Sequence, residues 1–412
     1  MTSILNKNRM DYRVEAPESN KLIPTDILQI PFDNDVYGME QTMTFTLSSG
    51  KYFVDCDKSY LNVKVGVKGT GVGALNLNFG NGSVLNLFKA IRIYHRSGTQ
   101  ISHSVNMDLW SKAKQHITKD KFWFDTTGYI QGYRADPQNE PIWTTTSANF
   151  EYHNFKVKLS DLHPFFEGKD DKLLPPQIAD GLRIELDLPY KYRGFTSNTE
   201  VSEQIVDYSV SPNIQSALVE VQPSASDINN DIANKVGLKW VFNDVFMTSV
   251  TVAVDENDFT IPLQKAVSAG QNVITFSRLV DADNTLLLDS YKYTQPSGSN
   301  VNWNYIIGNQ LFPYKRKVDN KIDTYTTAID AFNWQYGTNM TYSKWDSQNT
   351  CYVTNLRTED RLLNSGDYFN ANKQIQLEFN KNGNSSFDRY VHCAIEYEKV
   401  LTANSTNSKI DE

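Results

Sequence analysis

Cysteine is scarce in this chain, and its spacing excludes two common kinds of stabilising site. The 412 residues include three cysteines, Cys56, Cys351 and Cys393. They are odd in number and far apart, so the sequence contains neither a disulfide framework nor the paired spacing of a structural zinc site. We therefore expect the protein to fold in a reducing, intracellular compartment.

Basic runs and long apolar runs are missing as well. The net charge is −8, and lysine and arginine are scattered among acidic residues. Without a basic arm that could release counterions, we predict no direct nucleic-acid binding. Residues 1–20 contain no apolar stretch, and no other segment approaches the roughly 20 apolar residues that a membrane-spanning helix requires. The sequence predicts a soluble protein without a signal peptide.

Aromatic residues are abundant instead. They make up 12% of the chain, mostly as 22 Tyr and 21 Phe, and such rings are enriched in strands, cores and protein interfaces. A chain of 412 residues also exceeds the size at which one hydrophobic core stops growing. We therefore expect two β-rich domains of roughly 200 residues each.

Apolar and polar residues alternate in both halves of the chain, as in segments 61–67 and 155–159 of the first half and 250–254 and 391–397 of the second. A period of two predicts strands with one buried face. Segment 182–188 gives the clearest case. Its apolar residues are predicted to face a core and its charged residues to face away: Leu182, Ile184, Leu186 and Leu188 against Arg183, Glu185 and Asp187.

Turns and short helices interrupt the strand pattern. Gly98, within residues 96–99, can adopt the positive φ of a hairpin turn between strands at 91–94 and 100–102. Apolar residues with a spacing of four predict one helix: Val105, Leu109, Ala113 and Ile117. A second, short helical turn through Leu162 and Phe165 is predicted to be capped by Ser160 and Asp161.

Motifs for nucleotides and metals are absent or incomplete. The glycines of Gly69–Ala74 follow a strand, but strand and turn residues come next where a dinucleotide site needs a helix, so we predict a flexible loop. Asp281–Asn284 lacks the glycine and glutamate of a calcium loop, so we predict a solvated turn. The six histidines show no metal-binding spacing. We predict no metal, no cofactor and no cofactor-binding residues.

Catalytic motifs are also missing. The sequence has no nucleophile elbow and no P-loop, and the cysteines lie in no known nucleophile context. We predict that the protein is not an enzyme and has no catalytic residues. A glycosidase pair of carboxylates on opposite strands remains an open alternative.

Two stretches resemble one protein family. The first runs from Phe155–Phe165 through Leu173–Pro176 to Gly181–Leu188, and the second is Ile306–Pro313, before a helical stretch at 325–334 and a closing strand at 390–400. Their order resembles that of the double jelly-roll major capsid proteins of the adenovirus, tectivirus and polinton-like virus lineage.

The resemblance implies an all-β fold, mainly β with a few short helices, of two tandem antiparallel jelly-roll β-sandwiches. Eight short alternating strands in about 200 residues suit one such sandwich. The domains expected are an N-terminal arm (1–30), the first jelly roll (31–224), a linker helix (225–238), the second jelly roll (239–401) and a flexible tail (402–412).

The function implied by the resemblance is structural. The chain would form pseudo-hexameric homotrimers that tile an icosahedral virus shell, assembled inside the host cell and located in the virion, with minor capsid or penton proteins as further partners. Two alternatives stay open. One is a minor or vertex capsid protein, which usually needs a single jelly roll. The other is a carbohydrate-binding or carbohydrate-cleaving β-sandwich.

Overall fold

The computed structural model describes most of the chain between residues 23 and 411. The described ranges are 23–70, 75–136, 139–145, 149–167, 172–197, 205–220, 238–263, 265, 267–285, 287–295, 301–307, 310–314, 316–331, 340–356, 367–369, 375–381, 387–403 and 408–411.

The first half forms antiparallel sheets. Its strands are β1 (Ile23–Ile30), β2 (Thr42–Thr46), β3 (Phe53–Thr70), β4 (Leu75–Asn78), β5 (Ala90–Tyr94), β6 (Gln100–Val105), β7 (Trp143–Thr145), β8 (Glu151–Lys158), β9 (Arg183–Asp187), β10 (Thr196–Ser197) and β11 (Ile205–Glu220). Two four-stranded sheets have the orders β1-β11-β3-β8 and β2-β9-β5-β6, and a small sheet has the order β10-β4-β7.

The second half repeats this plan. Its strands are β12 (Leu238–Val252), β13 (Asp258–Leu263), β14 (Val267–Leu279), β15 (Val301–Ile307), β16 (Gln310–Phe312), β17 (Cys351–Asn355), β18 (Asp367–Phe369), β19 (Ile375–Lys381), β20 (Arg389–Ala403) and β21 (Ser408–Asp411). One sheet has the order β12-β20-β14-β17, with β18 and β21 attached, and the other has the order β13-β19-β15-β16.

Both halves share one topology. When the eight strands of the two main sheets are numbered along the chain within each half, the sheets have the orders 1-8-3-6 and 2-7-4-5 in both halves. This is the strand order of a jelly roll, in which a folded-over hairpin divides its strands between two packed sheets. The duplication exists in the topology, although the two halves share no recognisable sequence repeat.

The helices are short and lie in the connections between strands. They are α1 (Met107–Thr118), α2 (Lys121–Trp123), α3 (Leu159–Leu162), α4 (Pro164–Glu167), α5 (Pro176–Ala179), α6 (Lys191–Gly194), α7 (Lys321–Ala331) and α8 (Tyr342–Gln348). A π-helical turn, Phe124–Gly128, continues α2, and the 3₁₀ turns Val84–Leu87 and Val280–Asp283 complete the set.

Two apolar cores hold the molecule together. One lies inside the second sandwich, around Trp303 and Leu377. The other fills the first sandwich and continues without a break to Trp240 and Phe242 on β12. The apolar face that β12 turns away from its own sandwich is therefore buried against the first half, which makes the contact between the halves part of a core.

The predicted burial of segment 182–188 is confirmed. Leu182, Ile184, Leu186 and Leu188 are buried in the first core. Arg183 is exposed, and Glu185 and Asp187 are half-buried. The alternation holds because β9 is the central partner of both β2 and β5, so one face must pack on the opposite sheet.

Truncating Ile184 should therefore be costly. Ile184 is fully buried, and Ile184→Ala is expected to lower the free energy of unfolding by about 2–5 kcal/mol through lost burial and a cavity. Urea denaturation measures the change, with Arg183→Ala on the same strand as an expected near-neutral control. Equal effects of the two substitutions would mean that the burial of this strand contributes little.

The predicted hairpin and first helix are found with one adjustment. Gly98 adopts a φ of 87° between β5 and β6. Leu109, Ala113 and Ile117 lie on the buried face of α1, but Val105 ends β6 and is exposed. The predicted helix therefore starts at Met107 and does not include Val105, because a left-handed Asn106 separates the strand from the helix.

The prediction that Ser160 and Asp161 cap a helix is wrong. Both residues lie inside α3, whose N-cap position is Lys158, and no side chain caps it. Asp161 instead accepts hydrogen bonds from Lys119 and Gln131 at 3.1 and 2.9 Å. Its carboxylate joins α3 to the segment around α1.

The described parts of the predicted arm and tail, residues 23–30, 402–403 and 408–411, form strands. Residues 23–30, assigned to an arm, form β1 on the edge of a sheet. In the predicted tail, Thr402 and Ala403 extend β20, and Ser408–Asp411 pairs with it as β21. The linker helix (225–238) lies outside the described residues apart from Leu238, which begins β12. Residues 71–74 of the predicted glycine loop also lie outside them.

Candidate functional site

The contact between the two sandwiches contains an apolar part and a cluster of buried polar groups. Its apolar part joins β12 to α4. The indole Nε1 of Trp240 donates a hydrogen bond to the backbone oxygen of Phe165 at 3.0 Å. The rings of Phe165 and Phe242 pack edge to face, with centroids 5.0 Å apart. All three side chains are buried, so the two halves share apolar burial at this point.

A polar cluster lies beside this apolar contact. The carboxylate of Asp244, on β12, receives the ammonium of Lys399 from β20 at 3.0 Å. Its other oxygen accepts hydrogen bonds from the hydroxyls of Ser102 and Ser104 on β6, at 2.7 and 3.0 Å. His163 Nε2 lies 3.7 Å from the same oxygen. We call these five residues the Asp244 cluster. It spans both halves and is almost completely buried.

The electrostatics of the Asp244 cluster favour a charged pair and a neutral imidazole. Burial would raise the pKa of Asp244, but Lys399 and His163 outweigh it and the pKa is lowered. Burial lowers the pKa of His163 to about 4, although the neighbouring Asp244 opposes this. The backbone N–H of Phe165 donates to His163 Nδ1 at 3.0 Å, so the neutral ring carries its proton on Nε2 and can donate to the serines.

A second buried ion pair lies within the first half, beside α1, and is linked to the second half by a tyrosine. Arg193, on α6, donates to both carboxylate oxygens of Asp108 at 2.6 and 2.8 Å. The hydroxyl of Tyr291, from the second half, donates to the same carboxylate at 3.0 Å. Asp108 raises the pKa of the guanidinium even though burial acts in the opposite direction. A bidentate pair with a third donor satisfies a buried carboxylate well.

The Asp281–Asn284 segment forms the predicted turn, with Asp281 and Asn284 exposed, but Asp283 is only half-exposed because it has a partner within the fold. Asp283 accepts two hydrogen bonds from the guanidinium of Arg278, at 2.7 and 2.6 Å. Arg278 also donates to His392 at 3.0 Å, and burial lowers the pKa of that histidine well below its usual range. The segment is a 3₁₀ turn with Ala282 buried inside it. The carboxylate of Asp283 is therefore bound by Arg278.

Two concave regions of the described surface contain paired charges. A cavity of about 180 Å³ beside α1 is lined by Trp110 and by charged side chains, among which Lys119 binds Asp161 at 3.1 Å. A surface cleft of about 590 Å³ has Tyr190 as the one aromatic residue among the described residues that line it. There Arg92 holds the carboxylate of Asp187 with two hydrogen bonds.

Metal-binding groups and membrane-spanning helices are absent from the described ranges. Within them no group of three or more histidine, cysteine or acidic side chains is arranged to hold a metal ion. No helix in those ranges is long and apolar enough to cross a membrane. The three cysteines are buried as free thiols, and burial raises the pKa of Cys351 to about 12 and that of Cys393 to about 12.

Sequence reasoning missed the residues of the Asp244 cluster. One signal existed, since Asp244 is an acid at an inward position of a strand that otherwise buries Trp240, Phe242 and Val245. A buried acid requires a partner. The partner Lys399 is 155 residues away, however, and nothing local identifies it.

Comparison with solved structures places this fold in one class. No protein-family model and no curated protein sequence matches the chain. The Faustovirus major capsid protein is similar with a TM-score of 0.63 and 9% identity, over 95% of this chain and 92% of that chain. A model of the PBCV-1 virus capsid gives 0.61 and 8%, over 97% and 98%. The mavirus major capsid protein gives 0.57 and 9%, over 97% and 93%.

These similarities define a fold class. Both jelly rolls and nearly the whole length of the chain take part in them. The chain therefore has the fold of the double jelly-roll major capsid proteins, as its short family-like segments predict. The single jelly roll expected for the minor or vertex capsid alternative does not describe this fold, which has two.

Proposed function

We propose that the protein is the major capsid protein of an icosahedral virus and works as a pseudo-hexameric homotrimer. Residues 31–224 and 239–401 would supply two sandwiches per chain, joined through residues 225–238, so three chains would form a ring of six. The role is structural, without catalysis, cofactor or metal, and without direct nucleic-acid binding. The trimers would assemble inside the host cell into the virion shell, together with minor capsid or penton proteins.

One observation carries the proposal: two sandwiches of identical strand order, in one chain, match capsid proteins over nearly their whole length. A duplicated unit lets a threefold ring approximate sixfold symmetry, which suits a hexagonally tiled shell. The carbohydrate alternative requires a groove with stacked aromatics. The described cleft, with Tyr190 alone and a carboxylate held by Arg92, gives it little support.

Exposed apolar residues on β1 support a contact between copies that resembles the contact between the two sandwiches within one chain. Within the chain, the edge strand β12 packs beside the edge strand β6. The strand of the first half that corresponds to β12 is β1, and the strand of the second half that corresponds to β6 is β16. On β1, Ile27 and Leu28 are 66% and 37% exposed, whereas Trp240 and Phe242 on β12 are buried. A head-to-tail ring would bring β1 of one copy beside β16 of the next.

Light scattering on the purified protein tests the assembly. We expect a particle with three times the mass of the chain at micromolar concentration. Because each chain carries a charge of −8, added salt should leave the trimer unchanged or favour higher assembly, since screening acts over about 8–10 Å at moderate ionic strength. A protein that remains monomeric across concentration and salt, or that hydrolyses a glycan, would contradict the proposal.

A point variant on β1 tests whether this strand lies in the contact between copies. Ile27→Asp introduces a charge into the proposed contact and should convert trimer to monomer, with an unchanged circular dichroism spectrum. Val254→Asp serves as the control, because Val254 is an exposed apolar residue in the turn between β12 and β13. If both variants remain trimeric, β1 lies outside the contact between copies.

A further inference from the structure

Lys112 is buried where α1 of the first half meets the second half. The side chain is 2% exposed, and its Nζ lies 2.5 Å from Oδ1 of Asn349, which follows α8. The ring of Tyr293 covers the ammonium, with the centroid 3.7 Å from Nζ. Since a C=O bond is about 1.2 Å long, Nζ can be no more than about 3.7 Å from the carboxamide carbon of Asn349.

We propose that Lys112 and Asn349 react with each other to form an intramolecular isopeptide bond between the two sandwiches. A bond forms between Lys112 Nζ and Asn349 Cγ, and the Cγ–Nδ2 bond breaks. The Nδ2 group takes a proton from the amine and leaves as ammonia. One carboxamide is exchanged for another, so atoms and electrons balance without an oxidant or a cofactor.

The surroundings favour the attacking form of the lysine. Burial lowers the pKa of the Lys112 ammonium, while Asp289 and Cys351 oppose that shift. A larger share of the amine is therefore neutral and nucleophilic than in an exposed lysine. Burial also raises the pKa of Asp289, so the opposing carboxylate charge is itself disfavoured.

The asparagine carbonyl is polarised and held in place. Asn81 Nδ2 donates to Asn349 Oδ1 at 3.0 Å, where negative charge develops during attack. Asn81 is in turn fixed by its backbone N–H, which donates to the Asp289 carboxylate at 2.8 Å. Backbone hydrogen bonds from Tyr293 to Gln348 and from Thr350 to Tyr293 fix the segment on both sides of Asn349. Asn349 is 3% exposed, so water is largely excluded.

Pre-organisation is what distinguishes this pair from an ordinary surface contact. Holding the two groups near attack distance in one orientation replaces a slow bimolecular step with an intramolecular one. The residues are 237 positions apart, so the bond would close a covalent loop through both sandwiches. Such a loop stabilises mainly by restricting the unfolded chain.

Intact mass spectrometry of the denatured full-length protein is the test. The wild-type protein should be lighter than its sequence mass by about 17 Da, the mass of one ammonia. A tryptic digest should contain a branched peptide with Lys112 joined to Asn349. A protease cut anywhere between the two residues should leave the fragments linked in a reducing, denaturing gel.

Matched variants separate this bond from other modifications. Lys112→Arg and Asn349→Ala should each restore the full mass and release the fragments after cleavage. Lys114 lies on the same helix as Lys112 but binds Glu396 on β20. The variant Lys114→Arg should therefore retain the mass loss. A wild-type mass equal to the sequence mass, or a gain of about 1 Da from deamidation of Asn349, overturns the proposal without requiring any variant to fold.

Discussion

Asp244→Ala is expected to lower the free energy of unfolding by about 3–5 kcal/mol, because it removes one partner of a buried ion pair and leaves the other charge uncompensated. Lys399 is 6% exposed, and its ammonium also donates a hydrogen bond to the backbone oxygen of Ile101, at 3.3 Å. The hydroxyls of Ser102 and Ser104 would also lose the Asp244 carboxylate as an acceptor.

A double-mutant cycle shows whether the charge itself is responsible. Asp244→Asn retains an oxygen that can accept from the serines, and Lys399→Met retains the apolar stem without the ammonium. We expect each single variant to be clearly destabilised and the double variant to recover much of the loss, since buried pairs can be replaced by uncharged groups at small net cost. Urea denaturation at neutral pH measures all four proteins.

Two outcomes would change this interpretation. Additive losses in the cycle would mean that Asp244 and Lys399 act independently, despite their 3.0 Å contact. A change in the slope of the denaturation curve would indicate that the two halves no longer unfold together. The second outcome would assign the Asp244 cluster to coupling between the sandwiches.

Local patterns predicted the individual strands well. Segment 182–188 becomes β9 with the expected faces, since an alternating sequence can bury only one side of a strand. Gly98 becomes a turn because its φ of 87° is costly for other residues. These features depend on near neighbours in the chain, and the sequence contains them directly.

Pairing between distant segments could not be predicted in this way. β9 lies between β2 and β5, whose positions in the sequence are far from it. The order 1-8-3-6 pairs the first strand of each half with the last, so it depends on contacts across the whole length of a half. Asp283 shows that a partner can be missed even at short range. An acid in a polar segment is expected to face solvent, but the side chain of Arg278, five residues earlier, binds it.

The site depends on such distant pairs throughout. Asp244 meets Ser102 across 142 residues, and Lys112 meets Asn349 across 237 residues. Each residue alone fits a polar position on a strand or helix. The alternation of a strand can indicate that such a residue points inward, but the distant partner cannot be inferred from residue type and spacing.

Acidification is expected to destabilise the protein through its buried histidines. His163 has a pKa of about 4 in the fold, lowered chiefly by burial, against about 6.5 in the unfolded chain. Between these values the unfolded state binds more protons than the folded state, so stability falls as the pH falls. At about 1.4 kcal/mol per pKa unit, His163 alone accounts for a loss of about 3 kcal/mol between pH 6.5 and pH 4.

Other buried groups act in the same direction. Burial lowers the pKa values of His116 and His392 well below the usual range, so they too oppose protonation of the folded state. Asp244, whose pKa is lowered by Lys399 and His163 despite its burial, loses its contribution only at still lower pH. The groups that face His163 are Asp244, Lys399 and the two serine hydroxyls, so protonating the ring disturbs the contact between the sandwiches.

His163→Asn isolates the contribution of this residue. The amide oxygen can replace Nδ1 as the acceptor for the backbone N–H of Phe165, which lies 3.0 Å from it, but the side chain cannot become charged. Unfolding free energies measured between pH 7 and pH 4 should fall less steeply in this variant, by about 3 kcal/mol over the range. His103→Asn, at an exposed position on β6, should follow the wild-type curve. Parallel curves for wild type and His163→Asn would mean that the pKa of His163 is the same in the folded and unfolded states, so that protonation of this ring does not destabilise the contact between the sandwiches.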